Sequence, residues 1–464
     1  MSNLINRRNF LGLSMAGIAS VGLSGCMVGA KIGGEPGEVQ EFTDWTNVKP
    51  APKIDFWSTH PGTSQDTEQA IVDAFNASQN DVKVNLVTAG KDYDEAAQKF
   101  QTALASKQLP GVTMFSDVWW FRYYLNQSIT PLNSLMTHLQ FDNADYQDEF
   151  MKDYVYSGKQ WAVPYARSTP LFYYNKTHWK NAGLPDRAPT TWDELAGWAP
   201  QIKAANSSIK SVFEFPNVND YIDWQIESLL WGEGAAISNG WDITFDQAPA
   251  VAAMTKFQNW IYKDKWAAVS PNLATADMGA QATSCTISST GSMSGLLKST
   301  DGKFDVGAGF MPGGSKVQGK VTPTGGAGLG IPQGITPEEK LSAGMFLKFL
   351  TNPENSAKFS DATGYIPVRK SADTTELYQK MPLAKIAVNQ MAQARPQDYG
   401  RVFIPGSSLI IGDAVGQIFT QKGDPQSTLS SAAQKIKSNY ENDVQSHLAK
   451  SDSSASASAS PKAS

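Results

Sequence analysis

The sequence predicts an α/β fold of two lobes, on three observations. Short β-patterned runs alternate with helical periodicity early in the chain, the pattern of βαβ units around a largely parallel sheet. About 400 residues remain once the two ends are set aside, enough for two lobes at roughly 100–200 residues each. Hydrophobic residues make up 41% and charged residues 18%, the balance of a globular protein.

The front end reads as an export address. Asn6-Arg7-Arg8-Asn9-Phe10-Leu11 places a twin-arginine pair before an apolar run that closes in Leu23-Ser24-Gly25-Cys26. A charged start, a short apolar centre and small residues before a cysteine are the marks of a lipoprotein signal peptide, here residues 1–25. The run is shorter than the roughly 20 residues that a spanning helix needs. The mature protein is therefore expected outside the cytoplasm, held on the outer face of the membrane by lipid on Cys26. Residues 26–52, rich in Gly, Pro and small polar residues, are expected to be a flexible tether. Residues 450–464 are a Ser/Ala tail that cannot build a core.

The ordered elements follow in sequence. Ile54-Asp55-Phe56-Trp57 is a short strand, and Gln65–Asn80 has helical spacing (Ala70, Ile71, Ala74, Phe75) with Ser64 as its N-cap. Val82, Val84 and Leu86 alternate as in a half-buried strand. Tyr93–Lys107 is helical and Val112–Phe115 is a strand ending at Ser116-Asp117. Further on, Ala162–Tyr165 and Pro170–Asn175 read as strands, and Thr191 caps a helix through Trp192-Asp193-Glu194-Leu195. Helical stretches lie near Tyr221–Trp231 and Ala250–Lys263. A Gly-rich interval at Gly313–Gly334 precedes the helix Pro337–Leu350.

Bulk chemistry excludes several function classes. The net charge is −5, and no basic block suits nucleic acid. Apart from Cys26 the only cysteine is Cys285, expected to be small buried filler. His60, His138, His178 and His447 are scattered without metal-ligand spacing, so no metal and no cofactor is expected.

The central text carries a resemblance. Val163-Pro164-Tyr165-Ala166-Arg167-Ser168-Thr169-Pro170-Leu171-Phe172-Tyr173-Tyr174-Asn175-Lys176, with Ala182-Gly183-Leu184-Pro185 and Thr191-Trp192-Asp193-Glu194-Leu195, resembles the extracellular solute-binding proteins of ABC importers, sugar-type branch. Gly325-Gly326-Ala327-Gly328-Leu329-Gly330-Ile331-Pro332 and Thr363-Gly364-Tyr365-Ile366-Pro367-Val368-Arg369 agree in content and order. Within that branch, five segments resemble the actinobacterial lipoproteins that bind glycerol-3-phosphate or glycerophosphodiesters such as glycerophosphocholine. These are Gly90-Lys91-Asp92-Tyr93-Asp94-Glu95, Asp117-Val118-Trp119-Trp120, Ala166-Arg167-Ser168-Thr169-Pro170, Ser289-Thr290-Gly291-Ser292 and Arg401-Val402-Phe403-Ile404-Pro405.

The resemblance implies a bilobal periplasmic-binding-protein fold, with lobe one from 53–160 plus 321–378, lobe two from 161–320 plus 379–449, and the ligand cleft at a hinge between them. It implies that Tyr93 and Asp117 meet the glycerol hydroxyls, while Ser168, Ser289, Gly326, Tyr365 and Arg401 surround the phosphate. Trp224 is the implied aromatic wall. At Tyr221 this sequence departs from the Trp or Leu of the family, which leaves the pocket size open.

The residue types suit such a ligand. The planar fork of an arginine offers parallel N–H bonds to two phosphate oxygens, and hydroxyls and a glycine N–H add neutral donors. The implied partners are a small-molecule phosphate ester, the membrane permease subunits of the importer, and the membrane through the lipid, with the protein itself a monomer. A neutral oligosaccharide remains the alternative ligand. A secreted glycoside hydrolase or phosphodiesterase is the distant one, because no pair of catalytic carboxylates and no nucleophile–base pair is visible.

Overall fold

A computed structural model describes residues 39–59 and 63–448. The expected signal peptide, Cys26 and the tail 450–464 lie outside the described residues.

Two five-stranded sheets organise the chain. Their strands, in chain order, are β1 Lys53–Ser58, β2 Lys83–Thr88, β3 Val112–Ser116, β4 Val163–Ser168, β5 Pro170–Asn175, β6 Ser211–Phe215, β7 Ala267–Val269, β8 Thr283–Ser289, β9 Val306–Gly309 and β10 Gly325–Gly330. The first sheet runs β2-β1-β3-β10-β4 and the second β7-β6-β8-β5-β9. Each has a parallel part (β2-β1-β3 and β7-β6-β8) and an antiparallel part, formed by β10 and β4 in the first sheet and by β5 and β9 in the second. The expected largely parallel sheet therefore holds for only part of each, because βαβ spacing does not fix the direction of strands that join a sheet outside the βαβ units.

The helices that matter for the site are α1 Thr63–Ser78, α2 Tyr93–Ser106, α3 Trp120–Leu125, α4 Asn133–His138, α5 Ile222–Gly232, α6 Pro337–Leu350, α7 Pro353–Thr363, α8 Tyr399–Val402, α9 Ser407–Thr420 and α10 Pro425–Asn439. α2 starts where Asp92 accepts the Glu95 N–H at 2.9 Å, and α6 where Thr336 and Glu339 form a reciprocal cap ahead of Pro337. Thr191 caps its helix as expected, accepting the Glu194 N–H at 3.1 Å. Ser64 does not cap α1; it lies inside it.

The polypeptide passes from the first sheet to the second through Thr169 alone, between β4 and β5. The expected first crossing near residue 161 is thus displaced, since Val163–Ser168 pairs with β10 in the first sheet. Both strands are buried along their whole length. Pro164 is tolerated because β4 is an edge strand, and Pro170 because it opens β5. Cys285 fills the second lobe's core, its thiol donating to the Val212 carbonyl at 3.2 Å.

A second correction concerns the expected flexible tether of residues 26–52. From Val39 onward this arm is packed on the first lobe. Trp45 is buried, donates its indole N–H to Ser134 Oγ at 2.9 Å and stacks on His138 at 5.9 Å. Glu41 accepts the Ser134 N–H, and Ala51 bonds to the Glu338 carbonyl and to the Ser342 hydroxyl of α6. Composition suggested a loose segment; one tryptophan with a prepared seat overrides it.

Candidate functional site

The ends of β3, β4, β5, β8 and β10 meet where the chain crosses between lobes. Asp117 follows β3 directly, and its N–H donates to the Gly326 carbonyl at 3.1 Å. Ser168 lies opposite Gly325 and Arg167 opposite Gly326, with a register shift before Gly328. Gly326 has φ +112°, and a Cβ there would stand 2.0 Å from the Ala166 carbonyl oxygen. Only glycine fits this bulge. Gly325 is needed for another reason: a Cβ would sit 2.5 Å from the indole of Trp224, which donates to the Thr324 carbonyl at 3.0 Å.

Beneath this surface runs a buried polar chain. Arg167, fully enclosed, donates to the Tyr154 hydroxyl at 2.7 Å and to Asp153, which also accepts from Thr324 Oγ1 at 2.7 Å. Asp117 lies 4.0 Å from Arg167 on one side and 3.9 Å from Arg401 on the other. Gln397 bridges them, donating to Asp117 Oδ2 at 2.6 Å and accepting from Arg401 Nη1. Arg401 Nε and Nη2 both reach Asp223 Oδ2, at 2.9 and 2.7 Å, and Ser408 Oγ donates to the same oxygen at 2.7 Å.

The titration of these groups follows from burial and pairing. Burial pushes Asp153 up to about 6 against the pull of Arg167. Burial also opposes the charge of Arg401, but Asp223, Asp117 and Glu227 hold it above its ordinary value. Glu227, fully buried on α5, is raised well above the carboxylate range by burial and by Asp398. Two buried arginines thus stay charged because each has a carboxylate partner at hydrogen-bond distance.

This changes one sequence-based expectation. The parallel edge of the Arg401 fork, expected to face a phosphate, is committed to Asp223.

Tyr93 and Tyr365 share a hydrogen bond, and burial raises both phenols. The Tyr365 ring stacks on Phe359 at 5.8 Å and 10°. The Ser289–Gly291 turn rests on that ring: a Cβ on Gly291 would be 2.8 Å from it, and Ser289 Oγ accepts the Gly291 N–H at 3.1 Å. Thr290 N–H donates to the Thr169 carbonyl, which joins this turn to the crossing point. Tyr221 caps α5 in the left-handed region (φ 57°, ψ 45°) and is 44% exposed. Burial first, then Tyr365 and the carboxylates Asp94, Asp92 and Asp223, raise its phenol.

The structure therefore gathers all nine expected residues, Tyr93, Asp117, Ser168, Tyr221, Trp224, Ser289, Gly326, Tyr365 and Arg401, around one seam. It adds Arg167, Asp153, Asp223 and Gln397, which the sequence reading missed. Arg167 had a signal, since an arginine inside an otherwise apolar strand pattern needs a buried partner. Gln397 and Asp153 had none, because their place depends on contacts 280 and 14 residues away. A separate surface groove of about 390 Å³ between Pro216–Val218 and α9 contains none of these residues. Among the described residues no cluster of His, Cys, Asp or Glu could hold a metal ion, and no helix is long and apolar enough to cross a membrane.

Comparison with known proteins follows the same lines. Residues 70–386 match the family described as bacterial extracellular solute-binding protein. The sn-glycerol-3-phosphate-binding periplasmic protein UgpB of Escherichia coli K12 is 27% identical over 416 residues, 84% of this chain and 92% of that protein. The crystal structure of UgpB from Mycobacterium tuberculosis in complex with glycerophosphocholine superposes with a TM-score of 0.80 at 38% identity, covering 85% of this chain and all of that one. Maltose-bound MalE3 of Thermotoga maritima superposes at 0.72 with 22% identity, covering 83% and 99%.

Proposed function

Because the chain belongs to the bacterial extracellular solute-binding proteins, we propose that it is the binding component of an ABC importer for glycerol-3-phosphate or a glycerophosphodiester such as glycerophosphocholine. The observation that carries this reading is the convergence, at the seam between two lobes, of Ser168, Ser289, Tyr365 and the Gly326 main chain with two buried arginines. The likeness to a glycerophosphocholine-bound relative supports it.

In this reading the hydroxyls and the Gly326 N–H hold the phosphate, and Arg401 and Arg167 supply a positive field from beneath. Asp117 and Tyr93 take the glycerol hydroxyls at the other end. Asp117 is well placed to accept, since a carboxylate has more acceptor sites than its Gln397 bond uses. Trp224 covers carbon–hydrogen surface. A ligand touching both lobes favours the closed form by those contacts alone, and the closed form delivers it to the permease. We infer binding without catalysis, by a monomer that needs no cofactor or nucleic acid. Lipid on Cys26 would hold it beside its transporter, with more than one acyl chain because a single chain binds weakly.

One observation favours a neutral oligosaccharide instead: both arginines are already paired with carboxylates. A thermal-shift screen separates the readings. A glycerophosphodiester at about 100 times its Kd should add about 2.7 kcal/mol of stability. A response to maltose-type sugars alone would replace the phosphate-ester reading. Release of glycerol phosphate from a labelled diester would show an enzyme.

A further inference from the structure

Two residues beyond Arg401, Phe403 leaves the polar seam and enters an aromatic cluster drawn from both lobes. On the first-lobe side its ring lies 4.7 Å from Phe121 and 5.7 Å from Trp120, edge-on at 88°. Both partners open α3 and are buried with Phe115 of β3. On the second-lobe side the same ring lies 4.7 Å from Tyr399 and 6.0 Å from Trp241 of the hairpin 238–243. Trp241 also reaches across, 6.2 Å from Phe121. Ring pairs attract at these separations.

The segment that carries Phe403 is fixed in the second lobe. The Asp398 carboxylate accepts the Ile237 N–H at 2.7 Å and the Trp231 indole N–H at 3.1 Å, and the Asp398 N–H donates to Glu227 Oε1 at 2.9 Å. Gly400 N–H donates to Ser238 Oγ at 2.8 Å. From this base the segment meets the first lobe twice. Gln397 donates to Asp117 and to the Thr324 carbonyl, at 2.6 and 2.8 Å, and Phe403 packs on Trp120 and Phe121. Residues 117–121 of the first lobe thus receive both contacts. The last helix repeats the crossing. Leu429, Ala433 and Ile436 of α10 are buried in the second lobe's core, whereas Val444 is buried with Phe115, Trp120 and Phe121. Between them the helix winds as a π-turn, Tyr440–Val444, and Tyr440 stacks on Trp241 at 5.4 Å and 27°. Such turns are frequent at functional sites.

Phe403 and Phe121 have no donor, acceptor or charge to offer a phosphate ester. Their contact acts on how the lobes sit. We propose that Phe403 is a positioning residue: packed between the lobes, it holds Gln397 and Arg401 against Asp117 and raises affinity for every ligand of the cleft by favouring the arrangement in which the two halves of the site meet. This rests on the reading above that the seam binds a phosphate ester. A protein whose competent arrangement is only partly populated binds more weakly in proportion to that fraction, so the cluster tunes affinity without touching the ligand.

The test combines calorimetric titration of the mature protein with glycerophosphocholine and with glycerol-3-phosphate, and solution scattering of the unliganded protein. Phe403→Leu keeps an apolar side chain in the seat and removes the ring. It should weaken both ligands by the same factor, about tenfold, the scale of one or two ring pairs. The unliganded variant should show a larger radius of gyration than the parent. Phe121→Leu should act alike from the first lobe, and the double variant should bind no more weakly than either single one, because both remove one shared contact. A role in stability alone would lower the melting temperature and leave both affinities unchanged. That result, a gain in affinity, or a loss confined to one ligand would overturn the proposal. If the parent bound neither ligand, the phosphate-ester reading would fall and scattering would decide: equal size of parent and Phe403→Leu would bring down the positioning role as well.

Discussion

Gly326 and Arg401 show how single residues build the seam. A side chain at 326 collides with the Ala166 carbonyl and forces φ +112° on a residue that resists it. Gly326→Ala should therefore lower stability by about 1–3 kcal/mol and weaken ligand binding together, read by thermal denaturation and titration. Arg401 is harder to test, because its removal strands Asp223. Arg401→Ala should cost about 2–5 kcal/mol of binding and about 3–5 kcal/mol of stability. The double change Arg401→Met with Asp223→Leu separates the two: stability returns, since no charge is left unpaired, but binding does not. Recovery of binding in the double variant would remove Arg401 from the site. These residues were legible in the sequence for different reasons. Gly326 and Arg401 stand in segments whose order marks the family. Asp223, one residue before Trp224, carries no sign of the arginine it meets 178 positions later.

Among the elements, the arm and α5 make opposite demands on prediction. The arm of residues 39–52 has the composition of a linker, yet Trp45 seats it on α4. Trp45→Ala should release the arm without unfolding the sheets. Hydrogen exchange would then show lost protection at 39–51 and at the Ser134 amide, with β1–β3 unchanged. Loss of protection across β1–β3 would mean that the arm is part of the first lobe's core. α5 is buried on every side, so no amphipathic stripe marked its orientation; only its position was readable.

At its entrance, burial raises Asp220 to about 7, while the Ala274 N–H, donating at 3.2 Å, pulls the other way. A carboxyl with a folded pKa above its ordinary 3.8 binds its proton more tightly when folded. Its contribution to stability is whole at low pH and is lost as pH rises from about 4 to about 7. Asp220→Asn keeps the acceptor and cannot ionise. It should match the parent near pH 4 and exceed it by about 2–4 kcal/mol at pH 8. Equal melting at both pH values would show that Asp220 is not the buried acid described here.

For the whole molecule, the sequence yielded the α/β class, the order of elements and the two-lobe plan, because these follow from local periodicity and length. It misplaced the first crossing and overstated the parallel part of each sheet. Both depend on which distant strands β4 and β10 find in the first sheet and β5 and β9 in the second, a matter of long-range pairing. The single-residue crossing at Thr169, buried between β4 and β5, makes the two sheets neighbours at the seam. A hinge there predicts that saturating glycerophosphocholine narrows the cleft, seen as a smaller radius of gyration in solution scattering, and that maltose does not.

The most direct measurement is a crystal structure of the protein with glycerophosphocholine. The account predicts the phosphate against Ser168, Ser289, Tyr365 and the Gly326 N–H, and glycerol hydroxyls on Asp117. Density for the ligand away from the seam, or a phosphate sharing no donor with these residues, would contradict it.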